Sequence, residues 1–260
     1  MGIDFMRDFT LEMYYLLCKK MVNSSYSVIT FENYFEKFKK TDDPCIILRH
    51  DVDEKPQNAL TLGKIEHDFG IRSTFYFRIV PHVFVPDIIH NLVDLGHEIG
   101  YHYEVLDQTK GDYDKARYLF IKNLEILRQF YNIKTVCMHG NPITPWINKD
   151  FWNQFSLEEF GLLGEPYISV DYRSLNYFTD TGRSWNSKFR VKDIVPSTYN
   201  RKISNTSDLI QIIHEQNLRR ICINTHPQRW NQELLPWFQE YLWQNVKNIG
   251  KNTINLIKKV

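Results

Sequence analysis

Apolar residues recur along this chain in short unbroken runs, each followed by a stretch with helical spacing. Runs such as Cys45-Ile46-Ile47-Leu48, Thr74-Phe75-Tyr76-Phe77 and Arg220-Ile221-Cys222-Ile223 do not alternate with polar residues. Strands covered on both faces read this way, whereas half-exposed strands alternate. The pattern predicts strands over 45–50, 72–79, 97–102, 134–139 and 219–225. Between them it predicts helices at 56–69 and 84–95, ended by Gly70 and Gly96, then at 112–131, 147–156, 206–217 and 231–249. Helical spacing also runs over 7–21 and 29–40, with Thr30 as a start signal and Lys40–Pro44 as a turn into the first strand. Residues 160–200, rich in Tyr, Ser, Gly and Asp, read as short strands and loops. Repeated strand–helix units imply a parallel sheet with helices outside, and their number favours a closed or nearly closed α/β barrel. Residues 1–44 form a helical extension in this reading, and 45–260 the barrel domain.

The ends of these strands carry the chemistry. The first ends in Arg49-His50-Asp51-Val52-Asp53, and others deliver His102 and Glu104, His139, and His226. Acidic side chains at the end of a core strand are costly unless something pairs or coordinates them. Asp51 and Asp53 share a face of an extended chain. Two carboxylates that close raise each other's pKa unless a cation intervenes. A divalent metal resolves this, one carboxylate binding it and the other standing by as base. His102 shares its face with Gly100 and Glu98, while His97 faces the other way and reads as structural. Glu104 is open to three readings: a ligand, a partner orienting His102, or a loop acid. Two histidines and an aspartate make a common zinc set with a position left for water, which makes His139 a candidate beside His102. An imidazole such as His226 suits a general acid.

Composition narrows the classes. A net charge of +1 with no basic block gives no reason to expect nucleic acid. No apolar run is long enough to span a membrane, and the start of the chain carries no secretory signal pattern. The four cysteines are scattered and three fall in strand-like runs, which reads as reduced thiols and a cytoplasmic setting. Aromatic content of 15% is compatible with a sugar-binding cleft.

At these residues the chain resembles the polysaccharide deacetylases, the family with the nodulation-factor deacetylase domain. Gly96-His97-Glu98-Ile99-Gly100-Tyr101-His102 carries the likeness most specifically; Asp51-Val52-Asp53, Gly70–Phe77 and Thr225-His226-Pro227 are similar to three further motifs. The resemblance implies a (β/α)7 deformed barrel, zinc or a similar divalent metal, and hydrolysis of an acetamido group on a sugar. It implies Asp51 as base, Asp53 and His102 as metal ligands, and His226 as general acid. Two departures stand out. Leu106 occupies the position of the family's second metal histidine, so His139 is expected to move in as the third ligand. His139 itself stands where the family's arginine partner of the base is usual, so Arg183 is expected to replace that arginine. Trp185 resembles the family's cleft tryptophan, and with Glu104 it is expected to contact substrate.

The pattern is similar to a branch found with bacterial surface-polysaccharide synthesis such as O-antigen, where the substrate is a nucleotide- or lipid-linked sugar or glycan. Two other classes fit the same residues: a different metal-dependent amidohydrolase or esterase on the same barrel, and a catalytically weak glycan-binding accessory protein.

Overall fold

Strand β2, Cys45–Val52, is the longest in the sheet and organises it. All eight of its residues are buried, and alternate side chains enter two different layers. Cys45 and Ile47 pack with Tyr76, Cys137, Tyr177 and Cys222 inside the curl of the sheet. Ile46 and Leu48 pack outward against helices α1 (Leu11–Val22) and α8 (Thr206–Glu215).

The structure, a computed structural model, describes residues 7–185, 191–192, 194–196, 199 and 201–257, the side chains of 252–257 excepted. Part of the loop-rich stretch read at 160–200 therefore lies outside the described residues. The remaining strands are β1 (Ser27–Ile29), β3 (Thr74–Phe77), β4 (Glu98–Tyr103), β5 (Val136–Met138), β6 (Asn176–Thr179) and β7 (Arg220–Thr225). They pair in the order β5-β4-β3-β2-β7-β6, all parallel. β1 joins the lower half of β2, Ser27 opposite Cys45, on the edge whose upper half pairs with β3 from Arg49 onward. Among the described residues no ladder joins β5 to β6, so the sheet is a curled half-barrel, a deformed TIM-like α/β fold.

The helices fall near their expected places: α2 (Phe31–Glu36), α3 (Pro56–Asp68), α4 (Pro86–Asp94), α6 (Tyr113–Arg128), and a long C-terminal α9 (Leu234–Ile257). Short turns α5 (Val105–Gln108) and α7 (Pro166–Ser169) complete the set. The expected helix at 147–156 is a 3-10 segment, Asn148–Asn153. Residues 27–29, of which only Ile29 fell in the expected helix at 29–40, form β1, so the region before residue 45 adds a strand to the sheet as well as helices. Three residues are too few for periodicity to announce a strand.

Packing demands glycine at position 100. A Cβ on Gly100, which faces the interior of β4, would collide with the Tyr76 ring and approach Thr135 O to 3.0 Å. Among the described residues no helix is long and apolar enough to cross a membrane.

Candidate functional site

Every group of the site leaves the sheet at the C-terminal ends of its strands, the edge at which parallel α/β sheets present their chemistry. β2 supplies Arg49 and Asp51, with Asp53 just beyond; β4 supplies His102; β5, β6 and β7 end at His139, Asp180 and His226. Asp51, Asp53, His102, His139, His226 and Arg229 line one open cleft.

Asp53 is the point of convergence. Its Oδ1 lies 3.3 Å from His102 Nε2 and 3.7 Å from His139 Nε2, and its Oδ2 lies 3.8 Å from His226 Nε2. The far nitrogens of these rings are already committed. His102 Nδ1 stands 3.0 Å from the carbonyl of Cys137, His139 Nδ1 2.9 Å from Glu104 Oε2, and His226 Nδ1 2.6 Å from Asp180 Oδ1. Carbonyl and carboxylate oxygens only accept, so Nδ1 of His102 and of His139 carries a hydrogen and each neutral ring aims a lone pair into the cleft, whereas His226 Nδ1 is shared between Asp180 and Arg229 Nη1, 2.7 Å away. Asp53 Oδ1 is buried and has no hydrogen-bond partner. Acceptors therefore face acceptors, an arrangement that needs a proton or a cation between them. Burial pushes the Asp53 carboxyl up, but the three imidazoles outweigh it and hold the group well below the usual carboxylate range. Burial pulls His102 down, and the charges of Asp51 and Asp53 more than restore it, so its pKa is raised.

Asp51 is held from behind. Arg49, two residues earlier on the same face, donates to its Oδ2 at 3.0 Å, and Asn224 donates to the same oxygen at 2.9 Å. Arg49 is fully buried, bonded to Tyr167 at 2.9 Å and ringed by Tyr76, Tyr167 and Tyr177. Burial raises the Asp51 carboxyl, Arg49 overrides it, and the net pKa is lowered. Asp51 Oδ1 has no partner.

Three expectations are corrected. Arg183 does not meet Asp51. Gly182 and Arg183 both take positive φ, 77° and 55°, and this turn swings the guanidinium away from the cleft. It lies 4.3 Å over the Trp237 ring and donates to Trp237 O at 2.9 Å. The arginine that pairs with Asp51 is Arg49. Trp185 is not in the cleft either: it is 2% exposed, packed on Phe9 and Trp230, with its Nε1 donating to Thr206. Glu104 accepts Arg78 through both oxygens at 2.9 Å and holds His139, which leaves no free lone pair directed at a substrate. Its place is behind His139 rather than behind His102.

Leu106 lies buried in the core at the start of α5. His97 faces away from the cleft, bonded to Gly63 O and close to Ser73 and Glu66.

Two other groups place ligand-type atoms within 4.8 Å of one another: Asp51, His102 and Cys137, and Glu104, Asp107 and His139. The second is saturated, since Asp107 accepts from Thr144 and Asn148 while Glu104 is held by Arg78. In the first, the Cys137 side chain points back to Met138 O and its own carbonyl takes His102 Nδ1. Asp53, His102 and His139 aim open acceptors at one another.

Sequence reasoning missed Asp180, which stands 2.6 Å from the His226 ring and accepts from the backbone of His226, from Arg229 and from Trp230. Burial raises its pKa, but Arg229 and His226 bring it below the ordinary value. The four-residue β6 that delivers Asp180 lies inside the loop-rich stretch and has no clear pattern.

No protein-family model matches the chain, and a search of curated proteins returns no match. Among solved structures, a Mycobacterium smegmatis protein provisionally described as a polysaccharide deacetylase is similar to it, with a TM-score of 0.39 and 15% identity over 72% of this chain and 78% of that one.

Proposed function

We propose that the protein is a metal-dependent hydrolase that removes an N-acetyl or similar acyl group from a sugar during bacterial surface-polysaccharide synthesis. The observation that carries this reading is the unpartnered Asp53 Oδ1 facing the open Nε2 atoms of His102 and His139. One aspartate and two histidines form a zinc donor set that leaves a position open. Donors about 2.0–2.1 Å from one ion stand roughly 3.3 Å apart, close to each of the two aspartate–histidine separations of 3.3 and 3.7 Å. Asp53, His102 and His139 would hold the ion. When bound, a divalent ion supplies Lewis acidity, lowering the pKa of water to ~7 and polarising a carbonyl oxygen.

The chain's own residues do the rest. Asp51 offers its unpartnered Oδ1 to take a proton from the attacking water, while Arg49 and Asn224 fix its other oxygen. His226 delivers a proton from Nε2 to the departing amine, and Asp180 stabilises the charged ring that does so. The motif resemblance supports a sugar N-acyl substrate carried on a nucleotide or lipid. The four cysteines, all buried and none in a disulfide, fit a cytoplasmic setting.

Metal analysis with an acetate-release assay tests the reading. Purified protein should carry zinc at one per chain and release acetate from an N-acetylated nucleotide sugar or lipid-linked glycan. Asp51→Asn should retain zinc and lose activity by about 10³-fold. Protein that takes up no metal when zinc is supplied would remove the basis of the proposal.

A further inference from the structure

Helix α9 is built inside out. The side turned to the body of the protein carries Glu240, Gln244 and Asn248, which are 3%, 3% and 6% exposed. Asn248 donates to Gly182 O at 2.8 Å, and Gln244 to Asn248. The opposite side carries Leu234, Leu235, Phe238, Leu242, Val246 and Ile249, between 48% and 69% exposed. At 3.6 residues per turn these six fall within an arc of about 120°. An ordinary surface helix turns such a stripe inward. A contiguous outward stripe marks an interaction surface.

Charge decides between occupants. From Tyr241 to Val260 the chain has Lys247, Lys251, Lys258 and Lys259 and not one Asp or Glu. A second copy would set two lysine-bearing stretches with no acid beyond the buried Glu240 against each other, whereas anionic headgroups complement them. The stripe bears Leu and Phe, while Lys247 and Lys251 stand on the other face toward the cleft, Lys247 3.3 Å from Glu54; apolar on one face and lysine-bearing on the other is the composition of a helix that lies in a membrane interface.

Position adds a second argument. The cleft that holds Asp53 and His139 continues outward to a wall formed by Trp243, Lys247 and Lys251 of α9. Its other wall carries Ile143, 85% exposed. Apolar side chains thus stand on both sides of the entrance. We propose that α9 and the Ile143 loop seat the protein on an anionic lipid surface, with the cleft mouth turned toward it. This seating rests on exposure and charge and does not depend on the reaction proposed for the cleft.

Vesicle co-sedimentation tests it. The full chain should pellet with phosphatidylcholine vesicles containing about one-third phosphatidylglycerol and remain in the supernatant with phosphatidylcholine alone. Leu242→Glu/Val246→Glu should weaken binding at least about tenfold at an unchanged melting temperature. Ile143→Asp, on a separate element, should weaken it in the same direction, and Lys247→Gln/Lys251→Gln should lower it about tenfold and flatten its salt dependence. Failure to pellet with anionic vesicles overturns the proposal, as does equal pelleting with neutral ones. Unchanged binding by both the Leu242/Val246 and Ile143 variants also overturns it. So does a wild-type dimer that the Leu242→Glu/Val246→Glu variant converts to monomer, because the stripe then belongs to a second copy.

Discussion

Asp180 grips His226 at two points: its Oδ1 lies 2.6 Å from the ring Nδ1 and its Oδ2 accepts from the backbone N–H at 3.1 Å. The ring is thereby fixed in direction, with Nε2 turned toward Asp53.

Replacing Asp180 with Asn removes the carboxylate that orients the His226 ring. We expect the catalytic rate to fall by about 10²-fold or more, with little change in KM. Arg229 loses its carboxylate partner in the same variant, so the melting temperature should also drop.

Arg49→Met leaves Asp51 buried without its guanidinium. Breaking a buried pair from one side costs about 3–5 kcal/mol, which urea denaturation at neutral pH should register. Adding Asp51→Asn to Arg49→Met should recover part of that loss, because the orphaned charge is then gone. Arg183→Met, which leaves Asp51 untouched, should show no such coupling to Asp51→Asn.

Glu104 fixes the hydrogen of His139 and so the direction of its open nitrogen. Glu104→Gln should weaken zinc binding by about 10–100-fold in a chelator competition while leaving the fold intact. Leu106→His should not compensate, since that side chain points into the core.

Glu98, buried among Thr74, Thr135 and the backbone of Glu32, is pushed up from 4.5 to about 7 by burial. Its folded pKa exceeds its unfolded one, so the folded state binds the extra proton. Its contribution to stability is full below pH 4.5 and is lost as pH rises to about 7, by about 3 kcal/mol across that window. Glu98→Gln should flatten the wild-type slope of unfolding free energy against pH by close to one proton between pH 5 and 7. An unchanged slope would contradict the assignment.

How much of this was written in the chain depends on the residue. Asp51, Asp53, His102, His139 and His226 were legible because polar groups that end buried apolar strands are costly and must be satisfied. Arg49 stood in the same run, yet its role needs the knowledge that its face turns inward beneath a ring of tyrosines. Asp180 was hidden because a four-residue strand has no period to read. Arg183 and Trp185 were misplaced for a different reason: consecutive left-handed residues at 182 and 183 redirect the chain, and side-chain direction in such a turn does not follow from spacing. The outward stripe of α9 satisfies helical spacing as well as an inward one, and spacing is silent on which side is covered.

The double allegiance of β2 has one more consequence. Arg49 and Asp51 open into the cleft, while His50 between them pairs with Thr225 and Glu66 on the outer layer, beside Tyr14, Ser73 and His97. A single inserted or deleted residue between Cys45 and Arg49 would exchange the two sets, sending the carboxylate to the helices and the imidazole to the cleft. Both polar chambers would fail together, so the spacing of this strand is inherited whole or not at all.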